Sequence, residues 1–121
     1  MGGWVTEKAE RFNRDLKWYS KKHPNELEAV INNLESYLVM LNECEEHVQI
    51  NAGFLHKEPA GIKAIDQKGA KNTNKPRQTR LYVYSFFKNK VLYLLAIGDK
   101  KTQPDDIKYC VDYVSKLKGG K

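Results

Sequence analysis

The residues best suited to chemistry crowd into one stretch. Between Ile62 and Lys101 the chain carries ten cationic side chains, at 63, 68, 71, 75, 77, 80, 88, 90, 100 and 101, against two acids, Asp66 and Asp99. Ten minus two gives this segment +8, in a chain whose whole formal charge is +6. The cations alternate with the most strand-like residues present, Arg80-Leu81-Tyr82-Val83-Tyr84 above all. Positive charge localised on and around a sheet is the footprint of a surface that meets a polyanion. An arginine offers a planar fork matched to phosphate and never gives up its proton, so it acts electrostatically. Lysines set close together lower one another's pKa by like-charge repulsion, which lets one of them exchange a proton near neutrality. Tyr109, or its rival Tyr113, can stack on a base or donate a proton beside such a site. Edge packing accounts for either tyrosine equally well. For a single lysine, solvated surface charge is the simpler explanation. A strand arginine sharing a face with Tyr82 and Tyr84, as Arg80 does, costs packing unless it is used.

Other chemistries have little to stand on. The sequence contains no phosphate-binding glycine loop, dinucleotide fingerprint, nucleophile elbow or HExxH, and no cofactor is expected. His23, His47 and His56 fall outside the basic motifs and read as surface histidines, although His56 stands close enough to the first strand to reach a site there. Cys44 and His47 have zinc-like spacing but no second paired motif, so no metal is expected. Two cysteines without a framework suit a reducing cytoplasm. The longest apolar run, Val91 to Ile97, is far short of the ~20 residues that span a bilayer, and no secretory leader pattern opens the chain.

The elements that must position these side chains follow from periodicity. Trp4 and Val5 either form a very short opening strand or pack onto the first helix. Thr6 is a good N-cap, and Val5, Ala9, Phe12, Leu16 and Tyr19 recur on one face of a helix running to about Lys22. Leu27, Val30, Ile31, Leu34, Leu38 and Leu41 form the stripe of a second helix after Pro24, so the pair reads as an αα-hairpin. Residues 43–61 show no sustained period and read as a loop with an extra turn. Ile62 to Asp66 is a short strand, and Gln67 to Gln78 is an exposed polar loop. Thr79 to Phe87 and Val91 to Ile97 are strands joined by a Lys88-Asn89-Lys90 turn, with Asn89 suited to positive φ. Leu81, Val83 and Phe87 share one face of the first strand; Arg80, Tyr82, Tyr84 and Phe86 share the other. A last helix opens on Pro104-Asp105-Asp106 and buries Ile107, Cys110, Val111, Val114 and Leu117. Residues 1–60 hold 7 basic and 10 acidic side chains, and residues 61–121 hold 14 and 5, so the second half is the one expected to meet the anion.

Three segments in this order carry a family resemblance: Gly61-Ile62-Lys63-Ala64-Ile65-Asp66-Gln67-Lys68-Gly69, Gln78-Thr79-Arg80-Leu81-Tyr82-Val83-Tyr84 and Leu94-Leu95-Ala96-Ile97-Gly98-Asp99-Lys100-Lys101. With the αα-hairpin ahead of them, they resemble the RelE/ParE toxin superfamily, in particular its RelE-like branch from type II toxin–antitoxin systems. The resemblance implies one α+β toxin domain over residues 1–121. Its expected form is an αα-hairpin, a small antiparallel sheet of three to four strands and a C-terminal helix, with the hairpin on one face of the sheet. It implies a cytoplasmic, ribosome-dependent mRNA endoribonuclease, an mRNA interferase that inhibits translation. Its partners would be the ribosome, mRNA and an acidic antitoxin protein, with no membrane. The chemistry is attack of a ribose 2′-OH on the neighbouring phosphate, which needs a base, cations for the phosphorane and an acid for the leaving 5′-oxygen. Arg80 matches the family's strand arginine and takes the transition-state role. Lys68 and Lys63 match basic residues of the preceding strand. Lys100 and Lys101 follow the Ile-Gly strand end, with Asp99 ahead of them, and Tyr109 completes the catalytic set. Lys63, Lys71, Lys75, Arg77 and Tyr82 are the expected RNA contacts. Two other readings remain: a ParE-like toxin that binds a protein target without cutting RNA, and a basic RNA-binding protein whose catalytic set has decayed. The basic residues beside the sheet favour the nuclease over the ParE-like reading. The lack of a clear acid–base residue keeps the decayed form open.

Overall fold

A computed structural model describes residues 3–43, 50–68 and 78–119. Its elements are β1 (Val5–Lys8), α1 (Glu10–Lys22), α2 (Pro24–Glu43), β2 (Leu55–Lys57), a 3-10 turn (Pro59–Gly61), β3 (Ile62–Asp66), β4 (Thr79–Phe86), β5 (Val91–Asp99) and α3 (Gln103–Gly119). The class is α+β, with the helices and main strands in the expected order. The sheet, however, has five strands rather than three or four, ordered β1-β5-β4-β3-β2, and it is mixed because β1 runs parallel to β5.

Both extra strands lie at edges, where the side-chain pattern is silent. β1 is exposed along its whole length. The chain therefore stays extended through Thr6, which pairs with Leu92 instead of capping a helix. Val5 N–H donates to Lys90 O at 3.1 Å and Ala9 N–H to Leu94 O at 2.9 Å, so the open edge of β5 claims the backbone first. The helix begins only at Glu10, after an Ala9 that makes no side-chain cap. β2 is three residues, Leu-His-Lys, inside the stretch expected to be loop, and it pairs antiparallel with β3.

Each sheet face carries its own core. Leu81, Val83, Leu92, Leu94 and Ile97 pack under Phe12, Tyr19, Val30, Leu34 and Leu41 of the hairpin. Tyr82, Tyr84, Leu95 and Ala96 pack under Cys110 and Val114 of α3, so the last helix covers the second face. Burial of each such side chain stabilises the fold by about 1.5–3 kcal/mol. β5 is apolar from Val91 to Ile97 and carries a bulge: Tyr82 pairs with Ala96 but Val83 with Leu94. The surplus residue, Leu95, turns to the same side as Ala96, and one strand feeds both cores.

Smaller expectations also shift. β5 runs two residues past Ile97, to Asp99. In the β4–β5 turn the positive φ falls on Lys90 (55°), not Asn89. Leu117 is 38% exposed, so the buried stripe of α3 ends at Val114. Tyr37, which the stripe of α2 omitted, is buried with its hydroxyl 2.8 Å from Ser85 Oγ.

Candidate functional site

The register sets Asp66, Arg80 and Gly98 in one row across β3, β4 and β5. All three point to the face that α3 covers, at the end where α3 begins. Gly98 is required there. A Cβ on it would lie 1.7 Å from Asp106 Oδ2 and 2.7 Å from Thr102 Oγ1. Its absence lets the first turn of α3 rest directly on the strand. Asp106, fully buried, accepts the Thr102 hydroxyl at 2.6 Å and an N–H of the Arg11 guanidinium from α1. Burial raises its pKa, and the Thr102 hydrogen bond and the Arg11 charge oppose that rise.

The turn between β5 and α3 is fixed by reciprocal bonds. Asp99 N–H donates to Thr102 Oγ1 and Thr102 N–H to Asp99 Oδ1, each at 3.1 Å. Lys100 and Lys101 are thereby held exposed on a short turn. With Gln78 and Asp99 they line an open cavity of about 280 Å³. Thr79 pairs with Asp99, one step along from Arg80 and Gly98, so the basic pair and Arg80 share one end of the sheet.

Arg80 does not stand alone. Its Nη1 lies 3.6 Å from Glu58 Oε2, and the two side chains are 27% and 10% exposed. Glu58 is extended and its N–H donates to Ile62 O, so it continues the alternation of β2. His56, two residues earlier, therefore shares its face. His56 Nε2–H donates to Asp66 Oδ2 at 2.7 Å, and Asp66 Oδ1 accepts the backbone N–H of Lys68 at 2.8 Å. One face of the sheet end thus gathers a carboxylate against a guanidinium and an imidazole against a carboxylate. Sequence reasoning passed over Glu58 and left His56 on the surface. The alternation His56-x-Glu58 was the available signal, hidden because the strand is three residues long and only Leu55 in it is apolar.

The remaining predicted residues divide. Lys68 is exposed just past Asp66, its backbone held by Asp66 and by Asn33 on α2. Lys63 pairs with Val83 and so faces the hairpin side, away from Arg80. Its pKa is lowered by burial and then by Lys57. Tyr82 is fully buried, so no base can stack on it as an RNA contact. Its hydroxyl has no hydrogen-bond partner among the described residues, and burial, then Asp106 and Glu58, push its pKa up while Arg80 opposes them. Tyr109 lies toward α1, its ring 5.0 Å from the Arg11 guanidinium and 6.2 Å from the Tyr113 ring, rather than against Arg80. Lys71, Lys75 and Arg77, with Cys44 and His47, lie outside the described residues. Among the described residues no helix is long and apolar enough to cross a membrane.

No family model matches the chain, and no curated protein does. Among solved structures, a double mutant of the E. coli toxin RelE in the free state is similar at 16% identity. The match covers 88% of this chain and 90% of that one with a TM-score of 0.46. Likeness at that level assigns neither family nor activity.

Proposed function

We propose that this chain is the toxin of a toxin–antitoxin pair and cleaves mRNA at the ribosome by internal attack of a ribose 2′-hydroxyl. The observation that carries the reading is the Glu58–Arg80 pair beside the His56–Asp66 pair on one face of the sheet. Glu58 takes the proton of the 2′-hydroxyl, whose oxygen then bonds to phosphorus. Arg80 neutralises the phosphorane with its fork, and Lys100 and Lys101 hold the flanking phosphates. The bond to the 5′-oxygen breaks, and His56, oriented through Nε2 by Asp66, gives that oxygen a proton from Nδ1. The products are a 2′,3′-cyclic phosphate and a 5′-hydroxyl. This supplies the acid and base that the basic motifs alone lacked, and it weighs against a decayed site.

The test is expression without a partner, followed by primer extension on translated messages. Growth arrest with cut mRNA, lost in Glu58→Gln, is the expected result. Growth arrest with intact mRNA and altered DNA supercoiling would replace this reading by the ParE-like one. The inhibitory partner carries an Asp/Glu-rich segment that covers Arg80 and Lys100 or displaces α3. A neutraliser that touches only the α1–α2 hairpin would refute that assignment.

A further inference from the structure

The charge of the hairpin is split between its helices. α1 holds Arg11, Arg14, Lys17, Lys21 and Lys22 against Glu10 and Asp15; five minus two leaves +3. α2 holds four glutamates and no base, which is −4. A second cationic element therefore sits inside the acidic half of the chain. Asp15 offsets part of it from the inner side: Oδ2 accepts Ile97 N–H at 3.0 Å and lies 3.6 Å from Arg11 Nε, and Oδ1 lies 3.7 Å from Arg14 Nη2, which leaves Lys17 and Lys21 outside its reach.

The outward face of α1 mixes these cations with an aromatic. Arg14 is 73% exposed, Lys17 and Lys21 are exposed, and Trp18 is 45% exposed. The indole is braced by Tyr19, edge-on at 4.9 Å, and by His23 at 5.4 Å. With Asn13 these four side chains line an open cavity of about 480 Å³. An adjoining cavity of about 340 Å³ runs from Arg14 and Trp18 past Arg11 to Asp99 and Thr102. Asp99 also lines the cavity of Lys100 and Lys101. Together these cavities lead from Lys21 to the sheet end that carries Arg80, with Asp15, Asp99 and Asp106 beside Arg11 and Arg14 in the stretch between.

We propose that the outward face of α1 is a track for single-stranded RNA, which holds the strand on one side of the cleavage site. The inference rests on the nuclease reading of the Arg80 face for its purpose, though not for its binding chemistry. Arg14, Lys17 and Lys21 succeed one another at about one helical turn each, over about 10 Å, and meet successive phosphates. Trp18, held from behind and open in front, is a platform on which any base stacks. An acidic polypeptide would satisfy the cations but stacks on Trp18 only where it carries an aromatic side chain, whereas every nucleotide brings a π-face, which decides for RNA.

The experiment measures anisotropy of a labelled 15-nucleotide, 2′-O-methylated RNA, which binds but cannot be cut by internal attack. Trp18→Ala weakens binding about tenfold. The combined Arg14→Ala, Lys17→Ala and Lys21→Ala variant lowers the slope of log affinity on log salt by about two, at ~0.7 per released phosphate contact. Lys17→Glu, compared with Lys88→Glu in the β4–β5 turn, repeats the test with single substitutions on exposed positions. Unchanged affinity and slope in the triple variant overturn the track. So does equal loss in Lys17→Glu and Lys88→Glu, which would mean charge without a site. Loss of polyglutamate binding with RNA binding intact assigns the face to an acidic protein instead. Binding that depends on α1 in a protein that cuts no mRNA removes the nuclease reading and leaves the track standing.

Discussion

Arg80 and Glu58 should fail in different ways when altered, and the difference separates chemistry from folding. Arg80→Ala removes one preorganised charge, worth about 3 kcal/mol, or about a hundredfold in cleavage. It also strands Glu58, whose side chain is 10% exposed. Breaking a fully buried pair costs about 3–5 kcal/mol. An exposed pair contributes under ~1 kcal/mol. At 3.6 Å, with Arg80 itself 27% exposed, this pair lies between those limits. The expected loss is about 1–2 kcal/mol, a fall in thermal midpoint of about 5 °C. Arg80→Lys restores the charge without the fork and recovers only part of the rate. Glu58→Gln keeps the shape and relieves a poorly solvated charge, so stability holds while loss of the base lowers cleavage by about 10²–10⁴. Lys88→Ala, on an exposed turn, is the control for charge alone. Single-turnover cleavage on programmed ribosomes is plotted against thermal midpoint for the four variants. Equal cleavage by Arg80→Ala and Lys88→Ala takes Arg80 out of the site, and wild-type cleavage by Glu58→Gln takes away the base.

Three further outcomes test the packing beneath the site. Asp106 has a folded pKa above its ordinary 3.8, so the folded state holds this proton more tightly and Asp106 weakens the fold as pH rises from about that value through the raised one. Measured against Asp106→Asn by denaturation at several pH values, the wild type should therefore gain stability toward acid; a gain toward neutrality would mean that the Arg11 pair outweighs burial. Gly98→Ala forces a methyl into Asp106 and should cost about 3 kcal/mol in chemical denaturation, with Asp106→Ala in the same chain restoring part of it; a neutral Gly98→Ala would refute the close approach of helix and strand. Tyr82→Phe deletes a buried hydroxyl without a partner among the described residues and should leave stability unchanged or raise it by about 1 kcal/mol; a clear fall in thermal midpoint would reveal a bond to that hydroxyl.

What the sequence made legible was whatever the core enforces. The stripes of α1 and α2 and the opposite faces of β4 follow from burial on one side, and burial leaves a period behind it. Of the edge strands one was legible only as an alternative for Trp4 and Val5 and the other not at all, because an edge strand is held by backbone bonds, which any side chain permits. Val5 to Lys8 is exposed throughout, yet Val5 N–H and Ala9 N–H both find carbonyls of the β5 edge or its turn. A helix cap at Thr6 competes with that ladder and loses. The bulge was hidden for another reason: Leu94-Leu95-Ala96-Ile97 reads as a buried strand with or without it, and only the placing of Leu95 and Ala96 in the same core shows where the alternation breaks.

The site was half legible for a reason rooted in how charge was counted. Summing cations and acids treats each acid as a subtraction, so Asp66 lowered the score of the basic segment and Glu58 did not enter it. In the fold these two carboxylates face Arg80 and His56. A cluster of cations alone attracts RNA and stabilises a phosphorane, but at neutral pH it has few groups ready to accept a proton. In the proposed reaction a carboxylate beside the arginine is that acceptor, and a second one aligns the imidazole as donor. On that reading the acids that reduce the net charge are the groups that would turn a binding surface into one able to move protons. The cations assigned to affinity are others, Lys100, Lys101 and the outer face of α1, where no proton would have to move.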